Sequence, residues 1–185
     1  GGGSSIDTAK GIAHGAANPE VNLWDIWTKK VSLEKSLPIG VVLTISAAGS
    51  EMSDSAVLTN EEIGKKSGLG TPFNRPKFAI MNPELTYTLP KYQIACGIAD
   101  IMMHTLERYF IPNQSNRMTD EIAEGLLRTV IASGRTAIQN PTDYDAMSEI
   151  MWCGSLSHNG LTGCATGGGD WSSHMLVHEL GELFD

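Results

Sequence analysis

The spacing of hydrophobic positions divides the chain near residue 83. Beyond that point, apolar residues recur at i, i+3, i+4 and i+7, which is typical of helices with one buried face. The pattern predicts four such helices, at residues 92–110, 119–139, 144–161 and 171–184. Pro112, Pro141 and three glycines at 167–169 separate them, as helix-breaking residues do. The second part is therefore expected to be all-helical.

The first part mixes one helix with short strands. A helix is predicted to start near Ser5 and to end before Pro19, with Asp7 in its first turn, where the helix dipole favours an anion. The β-branched apolar run at residues 38–45 predicts a buried strand of the parallel kind. Further strands are expected at 56–59 and 77–81, with a loop at 65–74. The predicted fold class is α/β over residues 1–83, followed by an all-α part at 84–185.

Composition narrows the class of protein. Hydrophobic residues make up 41% and charged residues 18% of the 185 residues, a mix typical of a globular protein with a core. The net charge is 13 − 21 = −8 with scattered basic residues, which argues against a nucleic-acid partner. No apolar run has the length of a membrane span. Cys96, Cys153 and Cys164 are far apart in apolar surroundings, so we expect reduced core thiols and a cytoplasmic protein.

A carboxylate and an imidazole share one face of a predicted helix. Asp100 and His104 are four residues apart, so their side chains project from the same side. An ordinary surface pair would have this spacing too. Their apolar neighbours Ile98 and Ile101 predict a largely buried helix, and a buried charge needs a partner or a metal ion.

His174 and His178 repeat the same spacing on the last predicted helix, followed directly by Glu179. In the zinc-protease motif the glutamate stands between the two histidines, so this is a different arrangement. Two helices that carry Asp and His at helical spacing favour a divalent cation, Zn²⁺ or Fe²⁺. His14 and His158 are isolated in the sequence and are assigned to structural or surface positions.

The chain opens with three glycines and two serines directly before the first predicted helix. A glycine-rich turn at a helix N-terminus can cradle a phosphate, because its free N–H groups suit an anion. A flexible linker has the same composition.

Longer motifs identify a family. The opening GGGSSIDTAK resembles the cofactor-pyrophosphate motif GGGSxxDxAK of the iron-containing alcohol dehydrogenases, and residues 43–51 resemble their Thr-rich loop ending in Gly-Ser-Glu. Residues 82–90 are similar to the junction where their helical domain begins. Asp100-x3-His104 and the segment from Asp170 to Leu180 are similar to their metal-ligand helices. Butanol dehydrogenases and broad aldehyde reductases are the branch most resembled.

The resemblance implies a dehydroquinate synthase-like fold, with an incomplete parallel sheet that binds the nucleotide and an incomplete helical domain that binds the metal. Asp100, His104 and His174 would be metal ligands, and His178 would be a proton relay facing the substrate. The implied contacts of NAD or NADP are Gly2, Gly3, Ser4, Ser5, Asp7, Thr44, Ser50 and Lys66. The implied activity is metal-assisted hydride transfer between a small primary alcohol and its aldehyde.

The family also has sequence on both sides of this stretch. We therefore expect a longer parent enzyme, a homodimer, that supplies a strand–helix–strand unit before Gly1 and a fourth metal-binding histidine after the last helix. Activity of the present chain alone is expected to be poor. Two alternatives stay open: a metal-dependent hydrolase that uses the same three ligands without a nucleotide, and an inactive fragment of the dehydrogenase.

Overall fold

The computed structural model describes residues 1–112 and 116–184, apart from the side chains of residues 182 and 183. Six α-helices and four β-strands lie within these residues. In chain order they are α1 (Gly3–Ala17), α2 (Leu23–Trp27), β1 (Gly40–Val42), β2 (Ser55–Asn60), β3 (Lys65–Gly70), β4 (Phe78–Ile80), α3 (Lys91–Tyr109), α4 (Arg117–Gln139), α5 (Tyr144–His158) and α6 (Ser172–Phe184). None of the described helices is both long and apolar enough to cross a lipid bilayer.

The first part contains two strand pairs. β1 pairs with β4 in parallel, with Gly40 opposite Phe78, which confirms the parallel pairing predicted for residues 38–45. The prediction that this strand is buried was wrong for one face: Val41 is buried, whereas Val42 is 46% exposed. Side chains alternate across a strand, so only the face toward α1 and α5 is covered.

The predicted loop at residues 65–74 was wrong for its first half. β3 occupies Lys65–Gly70 and pairs antiparallel with β2, so that the two strands form a hairpin. The glycines in this stretch gave a loop-like composition, but the pairing with β2 satisfies their backbone groups. Leu69 then packs with Ala56 and with Trp27 of α2 in a small core. A short 3₁₀ turn, Pro72–Asn74, follows.

Helix α1 begins at Gly3, two residues earlier than predicted. Asp7 therefore does not lie in the first turn, and the dipole interaction expected for it there is absent. Its carboxylate instead accepts hydrogen bonds from Ser50 and from the backbone N–H of Val57, which ties α1 to β2.

Helices α3, α4 and α5 form the main hydrophobic core. Asn116 caps α4 by accepting a hydrogen bond from the backbone N–H of Thr119, and Asp143 caps α5 in the same way. The buried core residues recur at helical spacing; they are Ile94, Ile101, Leu126, Val130, Ala137, Ala146, Met147, Ile150 and Cys153. Helix α5 ends at His158 and not at residue 161, because Gly160 adopts φ 102°, in the left-handed region.

All three cysteines are free thiols, but only Cys153 is buried. Cys96 and Cys164 are exposed, so the prediction that they are core residues was wrong. The apolar neighbours of Cys96, which are Ile94 and Ile98 two residues away on either side, face the core, and residues two apart on a helix point in nearly opposite directions. Burial raises the pKa of the Cys153 thiol to about 11.

The loop between β1 and β2 joins the two parts. Its Ser46 carbonyl lies so close to α3 that a Cβ placed on Gly97 would be 2.2 Å from the oxygen. Glu51 of the same loop accepts a hydrogen bond from Ser155 of α5, and both side chains are buried. Residue 97 must therefore be glycine for the loop to reach the helices.

We predict that Gly97→Ala destabilises the protein by about 1–3 kcal/mol, since either the loop or α3 must move to admit the methyl group. Gly125→Ala on α4 is the matched control, because an added Cβ there would meet only the flexible tip of Arg128, at 3.9 Å. That substitution should raise the free energy of unfolding by about 0.5–1 kcal/mol, because alanine has the higher helix propensity. Chemical denaturation measures both, and equal stability of the two variants would contradict the packing argument.

Candidate metal centre

Two helices bring three potential ligands together. Asp100 and His104 lie one turn apart on α3, with His104 Nδ1 3.9 Å from Asp100 Oδ1. Helix α6 adds His174, whose Nε2 lies 3.5 Å from the same carboxylate oxygen. One donor atom from each residue falls within 4.8 Å of the others. These are the three residues for which the sequence predicted metal binding, and the fold brings them to one point.

His104 is held in its neutral form. Its side chain is buried, and burial lowers its pKa to about 4, although the negative charge of Asp100 acts in the opposite direction. Within the described residues, its buried Nδ1 has no hydrogen-bond partner. Leaving such an atom unpaired costs free energy, and a metal ion would satisfy it.

His174 differs from His104 in its electrostatics. Its pKa is raised, chiefly by the Asp100 carboxylate, 3.5 Å from Nε2, while burial opposes the shift and Glu107 adds to it. Without a metal, the imidazole therefore holds its proton more strongly than a free histidine does. A metal ion that uses Nε2 must displace that proton.

The donor set fits a divalent transition metal. One carboxylate and two imidazoles are ligands that Zn²⁺ and Fe²⁺ accept. A bound ion would give the unpaired Nδ1 of His104 a partner. It would also lie between the three closely spaced donor atoms. The three residues therefore suit a metal centre better than an isolated surface ion pair.

Aromatic and cationic side chains pack against one side of His104. The His158 ring lies 4.1 Å from the His104 ring, centroid to centroid, and Trp171 lies 5.6 Å from His158. The Arg108 guanidinium stacks 4.4 Å above the Trp171 ring and donates to Nδ1 of His158. Burial, followed by the charges of neighbouring groups, lowers the pKa of His158 well below its ordinary value.

His158 is thus isolated only in sequence. It occupies a buried, hydrogen-bonded position, which is the structural alternative assigned from the sequence, and it lies beside the ligand cluster. Residue 158 is far from His104 in sequence, but the last turn of α5 packs beside α3. Only the packing of the two helices brings the rings together, so the sequence carries no local signal for it.

His178 follows His174 by one turn of α6 and is half-buried. Burial lowers its pKa, and the positive charge of Lys66 lowers it further. Lys66 lies on β3, which contacts α6, so the hairpin brings a cation toward this imidazole. Both residues were named from the sequence, and the structure brings them near each other.

The glycine motif stands at the N-terminus of α1. Gly2 precedes the helix, and a Cβ on it would lie 2.2 Å from Cγ2 of Ile45, so packing alone demands glycine there. The first N–H groups of a helix have no partner within the helix, which leaves those of Gly3, Ser4 and Ser5 available to an anion. Thr44 donates its backbone N–H to Gly1 O at 3.3 Å and lies beside this turn.

Asp7 and Ser50, also predicted to contact a cofactor, are buried in a network around Lys10. Lys10 is fully buried and donates to Ser50 Oγ at 2.7 Å, while Ser50 donates to Asp7 at 2.5 Å. Burial lowers the pKa of Lys10, although nearby carboxylates act in the opposite direction. These side chains hold α1 against the loop that follows β1.

Sequence reasoning missed four residues that surround the metal-ligand candidates: Glu107, Arg108, His158 and Trp171. Glu107 offered a signal, because it stands three residues after His104 and shares its side of α3. Its carboxylate contacts Nδ1 of His174. Arg108 stands four residues after His104 on the same helix, so its spacing offered a signal as well. His158 and Trp171 acquire their positions only from the packing of α5 and of the segment before α6 against α3.

Comparison with known proteins agrees along the whole chain. The family model "Iron-containing alcohol dehydrogenase" matches residues 1–83, and "Fe-containing alcohol dehydrogenase family, C-terminal" matches residues 94–185. NADH-dependent butanol dehydrogenase A of Clostridium acetobutylicum is 43% identical over 100% of this chain and 47% of its own. The NADPH-dependent aldehyde reductase YqhD of Escherichia coli is 38% identical over 97% of this chain and 47% of its own.

Solved structures agree with these sequence matches. NADH-dependent butanol dehydrogenase A from Thermotoga maritima superposes with a TM-score of 0.95 at 40% identity, over 100% of this chain and 46% of its own. The chain spans about half the length of the relatives that it matches. Two successive family models, the relatives and the shared fold lead to one conclusion: the chain belongs to the iron-containing alcohol dehydrogenase family.

Proposed function

We propose that this chain carries the metal site and part of the cofactor site of an oxidoreductase that interconverts small primary alcohols and aldehydes with NAD or NADP. The observation that carries the proposal is the meeting of Asp100, His104 and His174, with a buried His104 nitrogen that lacks a partner among the described residues. Relatives named as butanol dehydrogenases and an aldehyde reductase support the substrate class.

Asp100, His104 and His174 would hold one Fe²⁺ or Zn²⁺ ion. A bound ion supplies a Lewis acid for the substrate oxygen, and the nicotinamide supplies or takes the hydride. The protein prepares the ligands: His104 is already neutral at pH 7, and Asp100 lies between the two imidazoles. Trp171 and His158 cover the ligands and keep water from one side.

The N-terminus of α1 would receive the cofactor pyrophosphate. Gly2 and Gly3 let the start of α1 lie against Ile45 and Ala48 of the loop after β1. The backbone N–H groups of Gly3, Ser4 and Ser5 at the helix end would contact the pyrophosphate. Thr44 lies beside this turn. Asp7 and Ser50 would act indirectly, by fixing α1 to the loop between β1 and β2, because their side chains bond to each other and to Lys10.

His178 would move the proton. Its lowered pKa keeps the imidazole neutral at pH 7, so it can accept a proton released when an alcohol is oxidised. Lys66 would contact the cofactor and hold His178 neutral through its charge. We also propose that residue 83 marks the division between the cofactor-binding part and the metal-binding part.

A metal-dependent hydrolase is the competing function. It would use the same three ligands, but it gives no reason for a glycine turn at a helix N-terminus beside Thr44. Binding of NADH or NADPH to the purified chain separates the two functions, since a hydrolase should bind neither.

We predict that Asp100→Asn abolishes tight binding of Fe²⁺ or Zn²⁺, because the amide keeps the shape and loses the charge that both imidazoles face. Metal analysis of the dialysed protein gives the stoichiometry. In the longer parent enzyme, oxidation of NADH or NADPH in the presence of butyraldehyde gives the rate, which should fall with the metal content.

Two variants control for this prediction. Asp145→Asn removes an exposed carboxylate from α5 and should leave the metal content unchanged. His178→Ala should keep the metal and lower only the rate, since its role is proton transfer. Full metal content in Asp100→Asn would refute the ligand assignment, and metal loss in His178→Ala would refute the division of roles.

We predict that metal affinity falls as the pH is lowered. The pKa of His174 is raised above its ordinary value, so below that pKa a proton competes with the metal for Nε2. His104, with a pKa of about 4, does not compete until the solution is far more acidic. Affinity should weaken about tenfold per pH unit below the His174 pKa, as displacement of a single proton requires.

Titration of the chain with Zn²⁺ or Co²⁺ across this pH range measures the slope. A slope of two protons per ion would show that His104 is also protonated and that its burial has been misjudged. Affinity independent of pH would exclude His174 as a ligand.

A further inference from the structure

Glu107 joins the two ligand-bearing helices. It lies on α3, three residues after His104, and its side chain is only 6% exposed. The carboxylate points to the start of α6, where His174 stands. Its own backbone carbonyl accepts a further hydrogen bond from the N–H of Asp170 at 2.9 Å. A buried carboxylate in such a position must have its charge satisfied by donors.

The two carboxylate oxygens have separate partners. Oε1 accepts the backbone N–H groups of Ser173 at 2.7 Å and of His174 at 3.2 Å, and so caps α6. Oε2 contacts Nδ1 of the His174 ring. A cap needs only the first oxygen, so the second contact calls for another explanation.

The contact of Oε2 decides which ring nitrogen of His174 carries a proton. An ionised carboxylate can only accept hydrogen bonds, so Nδ1 must be the donor. In the neutral ring, the lone pair then belongs to Nε2, which lies 3.5 Å from Asp100 Oδ1 on the side of the other ligands. A metal ion needs that lone pair.

We propose that Glu107 is a positioning residue that fixes the tautomer and the orientation of His174, so that Nε2 is presented to the metal. This inference rests on the proposed metal site. It adds a residue that touches neither metal nor substrate and acts through His174 alone.

Glu107→Gln separates capping from tautomer control. The amide oxygen should stay on the backbone N–H groups of Ser173 and His174, because the flipped amide would set its own N–H groups against both. The amide NH₂ then replaces Oε2 and donates to Nδ1. The His174 ring must move its proton to Nε2, which removes the lone pair from the metal side while α6 keeps its cap.

The direct readout is ¹⁵N NMR of the metal-free, histidine-labelled chain at about pH 9, where imidazoles are neutral. The wild-type chain should show His174 protonated on Nδ1, and Glu107→Gln should show it protonated on Nε2. The same tautomer in both proteins would overturn the proposal, as would an Nε2-protonated ring in the wild type. The measurement on the wild-type chain tests the proposal even if the variant fails to fold.

The second readout is Zn²⁺ or Co²⁺ affinity, which Glu107→Gln should weaken by about 10- to 100-fold. Glu179→Gln removes the same charge from an exposed position on α6 and should change affinity less than about twofold. Equal losses in the two variants would reduce the effect to charge alone and overturn the proposal. If the wild-type chain binds no metal, the proposed function fails, while the tautomer measurement still tests Glu107.

Discussion

The loop between β1 and β2 approaches α3 and α5 more closely than side chains would permit, and the geometry of the site depends on that approach. Gly97 on α3 meets the Ser46 carbonyl, and Gly49, at φ 61°, meets the Gly154 carbonyl of α5. Met151 of α5 packs in the same core cluster as residues of α1 and β1. The glycine turn and the metal-ligand helices are thereby held as one packed unit, in which a methyl group at either contact would force a displacement.

Several titratable side chains in and near the candidate site are buried, which is unfavourable for their charged forms. His104 and His158 are kept neutral by desolvation, and Lys10 is fully buried beneath the glycine turn. Such groups destabilise a fold unless partners satisfy them. Lys10 has Ser50 and the Ser55 carbonyl, and His158 has Arg108. Within the described residues, His104 Nδ1 has none, which marks the ligand cluster as a position where an ion would stabilise the protein.

Helical periodicity predicted α3 to α6 to within a few residues. Helices α3, α4 and α5 each bury one apolar face in the main core, whereas Met175, Leu176 and Leu180 of α6 follow the same spacing but are exposed. The same reasoning missed β3, where Gly68 and Gly70 obscured a strand that exists through its pairing with β2. At the site, i, i+4 spacing revealed Asp100 with His104 and His174 with His178, and motif resemblance assigned His174 to the ligands. His158 and Trp171 were beyond reach, since their contacts with His104 arise from tertiary packing. Glu107 was within reach, but its importance depends on where α6 docks.

X-ray diffraction from crystals of the chain grown with Fe²⁺ or Zn²⁺, collected at the absorption edge of the metal, locates a bound ion without reference to any assumed ligand. We expect one anomalous peak at about 2.0–2.2 Å from an oxygen of Asp100 and from one ring nitrogen each of His104 and His174. For His174 that nitrogen is Nε2, with Nδ1 still on Glu107. A peak centred on other residues, or no peak at saturating metal, would contradict the assignment of this cluster as the metal centre.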